Sequence, residues 1–268
     1  MRPLIAFPCK GETLAGTLDA ADGTTGLLIV SGGNEIRSGA HRGMALLAQR
    51  LAASGTPVFR YDRRGVGDST GDNAGFSSAQ PDLTAAVAAF LAAAPHVTRI
   101  VGFGNCDAAS ALALFGRSAG IDRIILANPW VIEPVDDLPP AAAIRARYVE
   151  RLRDPATWRR AAKGQVSGTK LFRGLRRITA AKGEEQAPLA TRVLTALEEW
   201  RDDLAIVLAS GDATAIAFAA EYHGGASVTR LDTASHSFAG TDNAAALHAV
   251  IAAEIATHHP DERQNPEP

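Results

Sequence analysis

Residues Arg99 to Phe115 read RIVGFGNCDAASALALF, and the fold turns on how they are parsed. RIVGFG predicts a buried strand, and Cys106 to Gly116 predicts a helix. The corner between them is Gly104-Asn105-Cys106-Asp107-Ala108. It has the form of the sharp turn G-x-S-x-G that lifts a nucleophile out of a sheet, with cysteine for serine and alanine for the last glycine. A thiol at a helix N-terminus meets a partial positive charge that favours thiolate. The N–H of Asp107 would face a developing oxyanion. The competing reading is a core cysteine at a plain corner, since free cysteine is among the most buried residue types.

Outward from this corner the same alternation repeats. PLIAFPC and ETLAGTLDA predict two short strands turning at Gly11. TGLLIV, PVFRYD, IDRIILANP, DLAIVLASGD and ASVTRLD predict further strands. Helices are predicted over Met44–Ala53, Pro81–Ala94, Ala213–Tyr222 and Asp242–Thr257. Strands apolar on both faces, separated by helices, indicate an α/β fold with a mostly parallel sheet. The alternation pauses over residues 133–200, which read as helical. These are expected to form a helical cap inserted into the core, over the sheet edge where ligands bind in such folds. A helical linker between two domains is the alternative. The expected divisions are core 1–132, cap 133–200, core 201–258 and a polar, proline-rich tail 259–268.

The chain has 268 residues, 46% hydrophobic and 21% charged, with a net charge of −2. This is an ordinary globular profile that gives no reason to expect nucleic acid. Cys9 and Cys106 are its two cysteines, too few for a disulfide framework. The N-terminal apolar run is too short for a secretory leader, and no stretch reaches the ~20 apolar residues of a membrane span. A cytoplasmic protein is expected.

A nucleophile needs a base, and the base an orienting acid. ASGDATA puts Asp212 at the end of one predicted strand, although an aspartate there is also a common helix N-cap. TASHSF puts His236 in the loop after the last strand. The order Cys106, Asp212, His236 is the nucleophile, acid, histidine order of α/β-hydrolases. The loop SGGN, after TGLLIV, offers Gly33 or Asn34 as a second oxyanion donor beside Asp107. Arg37, His41 and Trp130 are candidates to line the substrate pocket. Asp62, Arg64 and Ser69 of YDRRGVGDS read as loop-building residues. Ser110, one helical turn beyond Cys106, reads as a packing residue. No ligand spacing for a metal is present, and no cofactor is expected.

Five segments together resemble a known group: GNCDAASAL (104–112), SGGNEIRSGAHRG (31–43), YDRRGVGDS (61–69), SGDATA (210–215) and ASHSF (234–238). They resemble the exosortase A system-associated hydrolases of type 1, over nearly the whole chain. The resemblance implies an α/β-hydrolase fold, with Cys106 as nucleophile, Asp212 as acid and His236 as base. It also implies a setting in exopolysaccharide production and PEP-CTERM protein sorting. One departure is Ser235, which precedes the histidine where aspartate is commoner.

The expected reaction is cleavage of a small-molecule ester or thioester through an acyl-cysteine. Acyl transfer to a sugar or other acceptor would use the same residues, and a non-catalytic binding protein of the same fold is the third alternative. Residues 145–177 hold eleven Arg or Lys against two acids, a local balance of +9. Such a block suits either a solvated face or an anionic partner: a membrane surface, an acyl carrier protein, or a phosphorylated or acidic-sugar substrate. Lipid binding there would place the protein peripherally at the inner membrane surface.

Overall fold

A computed structural model describes residues 2–133 and 187–257. The strands are β1 Leu4–Cys9, β2 Glu12–Asp19, β3 Thr25–Val30, β4 Val58–Tyr61, β5 Arg99–Asn105, β6 Arg123–Ala127, β7 Leu204–Ala209 and β8 Ser227–Leu231. The helices are α1 Gly43–Ala53, α2 Gln80–Ala93, α3 Asp107–Phe115, α4 Leu189–Trp200, α5 Ala213–Glu221 and α6 Thr241–Ala256. Among the described residues the strands form one sheet in the order β1-β2-β4-β3-β5-β6-β7-β8. β1 and β2 pair antiparallel, as do β2 and β4, and every other pairing is parallel. The expected mostly parallel α/β sheet is therefore present. Parallel neighbours send the chain over a face between strands, so all their C-terminal ends lie along one edge.

The period-two alternation of β5 explains how its two faces are covered. Val101 and Phe103 join Leu27, Ile29, Val58, Ile125 and Val207 beneath Leu47 and Leu51 of α1 and Leu247 and Ile251 of α6. On the other face, a Cβ at Gly102 would stand 2.9 Å from Leu112 of α3, and one at Gly104 would stand 2.8 Å from the Ala108 backbone. Those two glycines let α3 lie almost on β5 directly after the turn. Each fully buried Leu, Ile or Phe of this core contributes about 1.5–3 kcal/mol.

Among the described residues, the YDRRGVGDS loop is knitted to the sheet. The carboxylate of Asp62, fully buried, accepts from the Arg37 guanidinium and from the Asp68 N–H at 3.0 Å. The Ser69 hydroxyl donates to Asp62 O at 2.7 Å and accepts from Ala15 N–H at 3.0 Å. Arg64 donates to Asp82.

The chain divides into two compact units, residues 1–131 with 192–268, and residues 132–191. In the second unit, Glu133 accepts from the Leu189 N–H. The end of the expected cap is helical, as α4. The rest of it, including the basic block 145–177, lies outside the described residues, as does the tail 259–268. Among the described residues no helix is long and apolar enough to cross a membrane.

Candidate active site

β5 ends at Asn105 and α3 begins at Asp107, so Cys106 makes the whole turn alone. Its φ is 62° and its ψ −126°, a conformation that costs an L-residue about 1–3 kcal/mol and persists only where neighbours enforce it. Both of its backbone groups are held. Cys106 N–H donates to Ala127 O at 3.0 Å, and Cys106 O accepts from Trp130 N–H at 3.2 Å. Its side chain is half-buried rather than part of the core.

Asp212 follows β7 and serves two partners with two oxygens. Oδ2 caps α5 by accepting from the Ala215 N–H at 3.0 Å, and Oδ1 takes the Nδ1 side of His236 at 3.0 Å. One residue thus both caps α5 and holds His236. Burial alone would raise the Asp212 carboxyl. The bonds to His236 and Ala215 outweigh it and hold the carboxyl below its ordinary value. His236 is pushed up from 6.5 to about 10, first by Asp212 and next by Cys106, against the opposing effect of burial. The imidazole therefore keeps its proton through neutral pH. Ser235 shapes the same loop, its hydroxyl accepting from Ala239 N–H at 2.8 Å.

The oxyanion side is more occupied than the sequence implies. Gly33 N–H donates to Asp107 Oδ1 at 2.7 Å, so the carboxylate of the residue after Cys106 already holds that amide. A Cβ at Gly32 would stand 2.6 Å from the same oxygen. Gly33 O accepts from the Arg63 guanidinium, which lies 3.9 Å from Asp107 Oδ2. In a trans peptide the C=O and N–H point oppositely, so fixing Gly33 O also fixes the direction of the Asn34 N–H. The Asn34 side chain accepts from Asn73 Nδ2 at 2.8 Å.

Glu35 was not singled out in the sequence, yet its carboxyl feels the charges of both His236 and Asp107. Burial raises it, and the Ala40 N–H, at 2.6 Å, and His236 draw it down. Of the pocket candidates, Arg37 is engaged by Asp62, Asp68 and Thr17. His41 is exposed, with a φ of 52°. Trp130 is half-buried and tied through its backbone to Cys106 and to the Ser110 hydroxyl. Ser110 is fully buried and donates to Trp130 O, which leaves it unsuited to attack a substrate.

Among the described residues no group of His, Cys, Asp and Glu side chains is placed to hold a metal ion. A cavity of about 780 Å³ lies at the opposite sheet edge, against Arg123, Leu204 and Ser227, which open β6, β7 and β8.

A profile of the Alpha/beta hydrolase family matches residues 27–250 of the chain. No curated protein matches its sequence. Among solved structures it is similar to a Pyrococcus furiosus esterase, Pf2001, at 14% identity and a TM-score of 0.64, covering 96% of this chain and 91% of that one. It is similar to the thioesterase domain from the curacin biosynthetic pathway at 15% identity and a TM-score of 0.55, covering 94% and 99%. It is also similar to the haloalkane dehalogenase DbeA of Bradyrhizobium elkani at 15% identity and a TM-score of 0.58, covering 96% and 98%. At such identities the likeness shows the fold, and the three names differ in reaction.

Proposed function

The chain belongs to the alpha/beta hydrolase family, and from that premise we propose that it is a thiol-dependent hydrolase that cleaves an ester or thioester of a small molecule. The observation that carries this reading is Cys106. It alone occupies the strained turn after β5, half-buried, on the sheet edge that also bears the joined Asp212–His236 pair.

The Cys106 thiolate, beside the His236 imidazolium, attacks the substrate carbonyl and forms a carbon–sulfur bond. The oxyanion is met by the N–H groups of Asp107 and Asn34, with Gly33 as a third donor once Asp107 yields it. The tetrahedral intermediate collapses, the bond to the alcohol or thiol leaving group breaks, and His236 protonates that group. His236 then takes a proton from water as the hydroxide attacks the acyl-cysteine. The carbon–sulfur bond breaks, the acid departs and the resting pair is restored. A thiolate suits activated acyl groups, which favours thioesters and activated esters.

Within the family, the five segments resembling the exosortase A system-associated hydrolases of type 1 support a role beside exopolysaccharide production. Charge alone supports an anionic partner at residues 145–177. Flotation with anionic and with neutral vesicles at low salt checks the lipid form, and equal binding to both rejects it.

The central test is a trapped intermediate. Rapid quenching of the enzyme with a short activated ester, followed by peptide mass analysis, should find the acyl group on Cys106. Turnover with no acyl adduct, or an adduct on another residue, would overturn the thiol mechanism.

A further inference from the structure

We infer that Asn105 and Asn128 form a carboxamide clamp on the main chain of the catalytic histidine and set the distance between His236 and Cys106. The inference rests on the hydrolase reading above. Both residues act through His236 and are positioning residues.

Asn128 follows β6 with a φ of 42° and is fully buried. Asparagine is among the few non-glycine residues that tolerate that backbone region. The kink lets the segment around it serve the elbow twice, since Ala127 O and Trp130 N–H are the two partners of the Cys106 backbone. The side chain is nearly saturated as well. Its Oδ1 accepts from the Ala209 N–H at 2.9 Å, at the end of β7. Its Nδ2 donates to Asn105 Oδ1 at 3.0 Å and to His236 O at 3.2 Å. Asn105, immediately before the nucleophile, donates from Nδ2 to the same His236 O at 3.0 Å.

The partners fix both amide orientations. Ala209 N–H can only donate, so Asn128 must present its oxygen there and its nitrogen to the other two acceptors. His236 O can only accept, so Asn105 must present its nitrogen. One carbonyl thus receives two donors, one from the residue beside the nucleophile and one from a residue anchored to β7. Asp212 hangs from the same anchor, its N–H donating to Ala209 O at 3.0 Å. Nucleophile, acid and base therefore meet through Asn128, whose side-chain hydrogen bonds go to Asn105, Ala209 and the His236 main chain rather than to those three side chains. A general stabilising role would need no convergence on the histidine's own carbonyl.

The closing experiment uses Asn105→Ala, Asn128→Gly and the double variant in the full chain. Asn128→Gly keeps access to the left-handed backbone while removing the side chain that carries the carboxamide. Each is checked for folding by circular dichroism, then assayed for turnover of an activated ester and for iodoacetamide alkylation of Cys106 across pH. The clamp predicts that kcat falls by up to ~10²-fold, the loss that a misplacement of about 1 Å can cause. KM should change little, and the alkylation profile should move towards that of an unassisted thiol. The double variant should lose less than the product of the two single losses, because both act on one carbonyl. If Asn128→Gly does not fold, the half-buried Asn105→Ala and Asn105→Ser decide the matter. Folded variants that keep the wild-type kcat and alkylation profile overturn the clamp, even if they melt earlier. A wild type whose Cys106 alkylates no faster than a free thiol overturns the hydrolase reading instead.

Discussion

Cys9 and Cys106 sit at the C-terminal ends of two strands of one sheet, in opposite chemical surroundings. Cys9 closes β1 and is buried, and its sulfur donates to Asp82 Oδ1 at 3.3 Å. Burial first, and then that carboxylate, push its thiol up to about 11. Cys106 is half-buried, alone in a strained turn, and meets an imidazole that keeps its proton. A neighbouring carboxylate penalises a thiolate, whereas a neighbouring imidazolium favours it. At the antiparallel edge of the sheet the thiol is a small core residue, whereas at the parallel centre it is the nucleophile we propose.

The largest effect should come from removing each thiol in turn. Cys106→Ala should remove all ester turnover and all iodoacetamide labelling of the folded protein at neutral pH. Cys9→Ala should keep both, at a stability cost of about 1 kcal/mol for one buried hydrogen bond. Labelling of Cys9 in the folded wild type, or turnover surviving in Cys106→Ala, would erase the contrast.

Asp212→Asn attacks the imidazolium without touching either sulfur. It removes the largest cause of the raised His236 while keeping the shape of the side chain. Turnover should fall by ~10²- to 10⁴-fold, the upper figure being the loss for an Asp-to-Asn change in a serine triad. Cys106 alkylation at neutral pH should slow towards that of an unassisted thiol. A variant with wild-type alkylation would show that Cys106 does not depend on the pair.

Asp107 offers a smaller and more pointed test, because its carboxylate already engages one of the proposed oxyanion donors. Its Oδ1 holds the Gly33 amide that a substrate oxyanion would use. Asp107→Ala frees that donor, while Asp107→Asn keeps an acceptor on it without the charge. The Ala variant should gain about fivefold in kcat/KM, near 1 kcal/mol, the usual net worth of one hydrogen bond. The Asn variant should gain less. A shared fall in both would show that the carboxylate serves turnover rather than competing with it.

These differences mark where sequence reading stops. The fold was legible because it depends on periodicity, and the strand ends that carry Cys106, Asp212 and His236 were legible with it. TGLLIV, RIVGFG and DLAIVLASGD each predict a strand that is present, and Asp212 and His236 are joined as their positions imply. The rest depends on residues distant in sequence but close in space. Asp107 reaches Gly33 across 74 positions and Asn105 reaches His236 across 131. No local pattern encodes such pairs. Arg37, a candidate to line the pocket, has its guanidinium bonded to Asp62 and Asp68, pairings that its position in the sequence does not reveal. Asn128 alone left a trace, an asparagine where an apolar strand ends, a position open to many roles.

The gentlest test changes only the pH. The ordinary histidine value is 6.5, and His236 in the folded chain is raised to about 10. A group raised on folding binds its proton more tightly in the native state, so native and unfolded chains differ in bound protons between those two values. The stabilisation from His236 is complete below about pH 6.5 and is lost as pH rises towards 10. Denaturant midpoints of the wild type should therefore decline over that interval, and those of His236→Ala should decline less. Because the imidazole is partly exposed, solvent screens the pair and the difference between the curves should be modest. Cys9 acts in the same sense at higher pH, since its thiol, raised from 9.0 to about 11, keeps its proton on folding while the unfolded thiol yields it. Its contribution too falls as pH rises through that range, so the comparison is best made in a Cys9→Ala background. There, parallel curves with and without the His236→Ala change would mean that the imidazole is not held charged, and the contrast between the two thiols would lose its electrostatic cause.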